Sequence, residues 1–297
     1  MKFALRDDDL NFFYSSEEIV KNYKGIWELC PVSMSVIPFI KGDWPNNVQK
    51  AEKRGPGYIN EETLRGLKAD NIVYPIGDNI PLVHFIKEKI KENKIYLTLH
   101  GIYHRNEDEV TPQFSRNFGF GAEFFTTRDL STSLKKAKEY TEITFDQRIS
   151  IFTPPQNLYS ANGLTAILNN NLAICGDLPS VKNLDTLNLL GIKNYINLIS
   201  FKLLNKDLNY PFPIINGGFR IISHYRLQPG TDMNKLYSDF ELVRNINGVF
   251  VISTHSYGFN FKMKQSTKTL GDELRRLIEY ASKFEDVQFV NLSQIFE

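Results

Sequence analysis

Three consecutive carboxylates, Asp7, Asp8 and Asp9, directly follow a short apolar run, and about ninety residues later the segment His100-Gly-Ile-Tyr-His104 follows another. One carboxylate and two imidazoles make a three-ligand set that can hold a divalent metal ion, most readily Zn2+, and leave a position open, with further carboxylates alongside. A metal held this way activates water, a neighbouring carboxylate can take the proton, and the chemistry served is hydrolysis of an acyl bond. Histidines four residues apart can face one side of a first helical turn. Position 101 is Gly, so this is not the HExxH helix with its base inside the motif, and the base must come from the acidic triplet.

Two more segments have reactive ends. The run Ile151-Phe-Thr-Pro154-Pro155-Gln156-Asn157 contains two prolines without an amide hydrogen, so the first free donor past it is the backbone N–H of Gln156, a candidate for stabilising an oxyanion. The run Val249 to Thr254 ends in His255, whose imidazolium could protonate a leaving amine. His224 follows Ile-Ile-Ser and reads as structural. Each motif alone is ordinary; their joint placement at the ends of apolar runs supports the metal reading.

The elements that must position these groups alternate along the chain. Strands are expected at 2–7, 32–39, 95–100, 149–153, 172–176, 219–224, 249–254 and 287–292. Helices are expected at 16–29, 60–69, 79–92, 131–146, 161–170, 184–204, 232–246 and 267–283. This is the pattern of βα units wound round a parallel sheet, and eight strands favour an α/β barrel of one domain over residues 1–297. Barrel enzymes place their chemistry at the carboxyl ends of strands, where the reactive groups fall. Two long connections, 41–59 and 105–130, lie on that side as candidate walls of a cleft.

The bulk numbers narrow the partner. With 35 basic and 34 acidic residues and no run of one sign, no nucleic-acid footprint is visible. No stretch approaches the roughly 18 apolar residues of a membrane span, the first residues do not form a secretory signal, and two distant cysteines point to a reducing cytoplasm. The oligomeric state leaves no trace in the sequence.

The residues resemble those of the polysaccharide deacetylase superfamily, in the divergent branch whose first motif reads Arg-x-Asp-Asp. The resemblance is carried by Arg6-Asp7-Asp8-Asp9, His-Gly-x-x-His, Glu123-Phe124, Phe152-x-Pro-Pro with Asn157, and Ser-Thr-His255. It implies a deformed (β/α)7–8 barrel with one divalent metal, usually zinc, that removes an N-acyl or O-acyl group from a carbohydrate or glycoconjugate. On that resemblance Asp9, His100 and His104 are the metal ligands, Asp8 is the base, His255 the acid, and Pro155, Asn157, Glu123 and Phe124 contact substrate. A register one residue earlier would give those roles to Asp7 and Asp8. The Arg that the better-known branch places before the paired prolines, where it holds the base, is missing around Thr153, and Arg6 is a candidate to replace it. No partner carboxylate for His255 is obvious, Asp177 being a candidate. The competing reading is a barrel of the same fold that binds a glycan without turnover.

Overall fold

A computed structural model describes residues 1–42, 72–106, 121–178 and 189–297. Its strands, in chain order, are β1 (Lys2–Leu10), β2 (Val32–Val36), β3 (Phe39–Lys41), β4 (Val73–Pro75), β5 (Ile95–Leu99), β6 (Arg105–Asn106), β7 (Gly121–Ala122), β8 (Ile151–Phe152), β9 (Ala173–Cys175), β10 (Ile214–Asn216), β11 (Phe219–Ile222), β12 (Tyr225–Arg226), β13 (Val249–Thr254) and β14 (Gln288–Val290). The helices are α1 (Ser16–Tyr23), α2 (Ile80–Lys91), α3 (Ser131–Phe145), α4 (Ala161–Asn169), α5 (Leu189–Leu204), α6 (Met233–Asn245) and α7 (Leu270–Ala281).

All eight expected strands form, and they share one sheet in the order β10-β11-β9-β8-β5-β2-β1-β13-β12, with β14 also paired to β1. Every pairing in it is parallel except that of β10 with β11. Strands buried on both faces read as near-continuous apolar runs, and β1, β2 and β13 are buried almost throughout. The chain from 219 to 226 pairs with β9 through its first half and with β13 through its second, so the two margins of the sheet are consecutive in sequence. Parallel order puts the carboxyl ends of β1, β2, β5, β8, β9 and β13 on one side.

The helices start where the polar caps lie. Ser15 and Glu18 form a capping box on α1, Thr269 and Asp272 form another on α7, and Asp232 caps α6; each cap is worth about 1 kcal/mol. The first helix ends at Tyr23 and not at 29, because the chain turns through Gly25 at φ 90°. The expected helix at 60–69, most of the connection 41–59 and residues 107–120 of the connection 105–130 lie outside the described residues. Beneath the sheet's carboxyl side an aromatic core centres on Phe3, Phe240 and Phe250, with Phe240 edge-on to Phe250 at 5.4 Å. Among the described residues no helix is long and apolar enough to cross a membrane.

Candidate metal and catalytic site

β1 delivers three buried carboxylates side by side, Asp7, Asp8 and Asp9, each under 5% exposed. Adjacent buried negative charges are tolerated only if each finds compensation, and each finds a different one. In a regular strand Asp7 and Asp9 would share a face. Here the register of β1 against β2 shifts between Asp7 and Leu10, and Asp9 takes φ 73°, so the three side chains go to three different places.

Asp8 lies on the same face as Arg6, whose fully buried guanidinium reaches it through Nη2 at 2.6 Å and Nε at 3.2 Å. The remaining guanidinium hydrogens go to the Cys175 carbonyl at 2.9 Å and Asn157 Oδ1 at 3.0 Å. The second Asp8 oxygen accepts from Ser35 Oγ at 2.8 Å, within a hydroxyl chain that includes Thr98 and Thr153. Burial alone would push the Asp8 carboxyl up, but Arg6, helped by His100 and His255, outweighs it and holds it at about 2. Arg6 is therefore paired with Asp8, the carboxylate expected as the base.

Asp7 points to β13, where its Oδ1 accepts the backbone N–H of Ser256 at 2.8 Å. Burial pushes it up to about 7, against the opposing Tyr23 and Ser256 contacts. Asp7 thus holds the backbone next to His255, whereas Asp177 forms a half-exposed ion pair with Arg226.

Asp9 meets the histidines. Its Oδ1 lies 3.2 Å from His100 Nε2 and 3.1 Å from His104 Nε2, and all three residues are buried. A tetrahedral ion with ligand bonds of about 2.0–2.1 Å spaces its donor atoms about 3.3 Å apart, so this set fits such an ion. The tautomer sharpens the fit. His100 Nδ1 is 2.8 Å from the Thr153 carbonyl, which can only accept, so Nδ1 carries a hydrogen and Nε2 is the nitrogen turned on Asp9. Burial lowers His104 to about 4; at His100 the contacts with Asp9 and Asp8 outweigh burial and raise it, and the pair of imidazoles holds Asp9 well below its ordinary value against burial. An imidazole lone pair facing a carboxylate oxygen is repulsive until a cation or a proton lies between them. His255 completes the group, its Nε2 3.6 Å from Asp9 Oδ2 and its side chain 45% exposed, the only site imidazole that solvent reaches freely.

The turn after β8 is unusual. Gln156 and Asn157 have φ 56° and 57°, and of the eight non-glycine residues with positive φ among those described, four are ordinary Asn or Asp loop positions while the rest are Asp9, His104, Gln156 and Asn157. Backbone strain is held where the surroundings over-determine it, and functional sites are common places for it. Pro155 is buried and Gln156 and Asn157 are half-buried. Glu123 and Phe124 are buried under the His100–His104 loop. Glu123 accepts the N–H groups of Ile102, Tyr103 and His104 at 2.8, 2.9 and 3.0 Å, and Phe124 packs on Phe152 with ring centroids 4.5 Å apart. His224 is buried away from Asp9 and both its ring nitrogens lack hydrogen-bond partners.

Sequence reasoning missed Ser35, Thr98 and Thr153, and it missed the Asp7 contact. The hydroxyls had a readable signal: single polar residues inside the apolar runs Val-Ser-Met-Ser-Val, Tyr-Leu-Thr-Leu and Ile-Phe-Thr-Pro, at positions that face Asp8.

No family model matches the sequence, and no curated protein does. Among solved structures, the chain is similar to a provisionally named polysaccharide deacetylase from Mycobacterium smegmatis, at TM-score 0.51 and 10% identity over 99% of this chain and 88% of that one. It is also similar to the 4-alpha-glucanotransferase from Thermococcus litoralis, at TM-score 0.50 and 11% identity, covering all of this chain but only 40% of that one. At such identities the likeness is one of fold: a mostly parallel α/β sheet shared with a polysaccharide deacetylase, here bearing a buried Asp/His/His group able to hold a metal ion.

Proposed function

We propose that the protein is a metal-dependent hydrolase that removes an N-acyl or O-acyl group from a carbohydrate or glycoconjugate, built as one deformed (β/α) barrel over residues 1–297. The observation that carries this reading is the convergence of Asp9, His100 and His104, two buried imidazoles and a carboxylate at 3.1–3.2 Å, beside a carboxylate held ionised by a buried arginine. A divalent ion, most readily Zn2+, would be held by Asp9, His100 and His104; when bound it supplies Lewis acidity to the acyl oxygen and to water.

The chain's own groups divide the remaining work. Asp8 is the base that receives the proton of the attacking water; Arg6 and Ser35 keep it ionised until then and hold it in place. His255, exposed at the mouth, hands a proton to the departing amine or alcohol, and Asp7 anchors the backbone that carries it. The Gln156 N–H, presented by the left-handed turn after Pro154 and Pro155, stabilises the charge that grows on the acyl oxygen. Pro155 and Asn157 border the substrate from the same turn.

The test is release of acetate from a panel of N- and O-acetylated mono- and oligosaccharides by zinc- or cobalt-loaded protein, with Asp8→Asn in parallel. Loss of turnover in Asp8→Asn with the ion retained supports the assignment. A metal-replete wild type that hydrolyses nothing in the panel refutes it and favours a barrel that binds glycans without turnover.

A further inference from the structure

The loop that carries the two histidines is an improbable piece of backbone. Gly101 has φ 80° and His104 φ 74°, and between them the amides of Ile102, Tyr103 and His104 all turn inward. A left-handed conformation costs a residue with a side chain about 1–2 kcal/mol, and His104 has no local reason to adopt it. Consecutive inward amides form a concave nest that suits an anion. The acceptor is built in: the Glu123 carboxyl group, 5% exposed, accepts all three hydrogens, two on Oε2 and one on Oε1.

We infer that Glu123 is the positioning residue of the metal site, an internal acceptor whose three amide contacts fold the 100–104 loop so that His104 meets His100 across Asp9. This rests on the metal reading above and assigns Glu123 a part other than touching substrate. Without the carboxylate, three buried N–H groups would lose their partner, and the loop would relax from the φ that aims His104 at Asp9. Gly101 belongs to the same device, since a Cβ there would collide with Glu123 Oε2 besides facing a forbidden φ. The strand pair β6–β7, which brings Glu123 back under the loop, gives the connection 105–130 a structural task at the site.

The experiment is calorimetric titration of zinc or cobalt(II) into chelator-stripped full-length protein, with the visible spectrum of the cobalt form as a second readout. Glu123→Gln keeps the size of the side chain but sets an amide NH2 against a backbone donor; Gly101→Ala disturbs the same contact from the other side. Leu277→Ala, a fully buried position on α7, controls for lost stability alone. Expected is a weakening of metal affinity by about tenfold to a hundredfold in Glu123→Gln, the range typical of groups that orient ligands from behind, with an altered cobalt spectrum. Gly101→Ala should behave alike, and Leu277→Ala should bind as wild type. The inference is overturned if Glu123→Gln keeps wild-type affinity and spectrum, or if Leu277→Ala loosens the ion as much. Should Glu123→Gln fail to fold, Gly101→Ala decides by the same criteria. A wild type that binds neither metal refutes the metal site itself, and the inference falls with it.

Discussion

Arg6→Met is the most demanding perturbation of this site, because Arg6 is wholly buried and every hydrogen bond it makes is to a buried or half-buried partner. The drop of Asp8 from 3.8 to about 2 corresponds to about 2 kcal/mol of folding stability, at roughly 1.4 kcal/mol per tenfold change in proton affinity. That figure is net of the burial penalty, which opposes the shift. Removing Arg6 leaves the penalty unopposed except by the imidazoles and orphans the Cys175 carbonyl, so the loss should exceed it and reach about 3–5 kcal/mol. The sign with pH follows. Asp8 is depressed in the wild type, so its contribution is present above about pH 4 and is lost as pH falls through about 2. In Arg6→Met the folded carboxyl should rise above its unfolded value, and that contribution should reverse, with stability highest in acid and falling as pH rises through the raised value. Urea unfolding of metal-free wild type, Arg6→Met, Asp8→Asn and the double variant reads out both effects. The double variant should cost at least about 2 kcal/mol less than the two singles together. Additivity of the singles within about 0.5 kcal/mol would show that the pair is not coupled, and the account of Asp8 as an arginine-held base would fail.

Two other outcomes follow from single contacts. Asp7 is raised from 3.8 to about 7, so the folded state holds its proton longer than the unfolded one, and stability should decline as pH rises from about 4 to about 7. Asp7→Asn keeps an acceptor for the Ser256 N–H and should flatten that decline in metal-free protein; an unchanged pH profile of the urea midpoint would count against it. Gly163 in α4 faces the Phe124 carbonyl so closely that a Cβ would overlap it. Gly163→Ala should therefore lower the unfolding midpoint by the equivalent of about 1–2 kcal/mol, overpacking outweighing the gain of about 1 kcal/mol in helix propensity; a higher midpoint would show that the helix can shift.

The sheet was legible because parallel strands buried on both faces leave largely apolar runs, as in β9 and β13, and in β1, β2 and β5 around buried polar residues. Strands β3, β4, β10 and β12 were not, since two or three residues carry no period and their pairing is decided by segments distant in sequence. The site divides along the same line. Asp9, His100 and His104 announce themselves by chemical type, whereas the part played by Glu123 depends on a connection that returns after some twenty residues, and nothing at position 104 signals a left-handed residue.

The choice among Asp7, Asp8 and Asp9 shows why spacing alone stops short. Strict alternation would place Asp7 and Asp9 together and Asp8 opposite them, so a regular strand could set either pair on the histidines but could not bring neighbouring residues to one centre. The bulge after Asp7 removes that restriction: Asp8 stays in line with Arg6 while Asp9, at φ 73°, swings to the imidazoles. Asp8 and Asp9, the proposed base and the proposed ligand, can then border one centre although adjacent in sequence, which an unbulged β1 would forbid. What specifies the bulge is not the triplet itself. Asn11 donates from Nδ2 to the Asp9 carbonyl at 2.6 Å and accepts the Phe13 N–H at 3.0 Å, while Leu10 hands its carbonyl to the Ile37 amide at 2.8 Å. The residues that turn β1 out of the sheet, Leu10 and Asn11, thus bear on which aspartate faces the histidines.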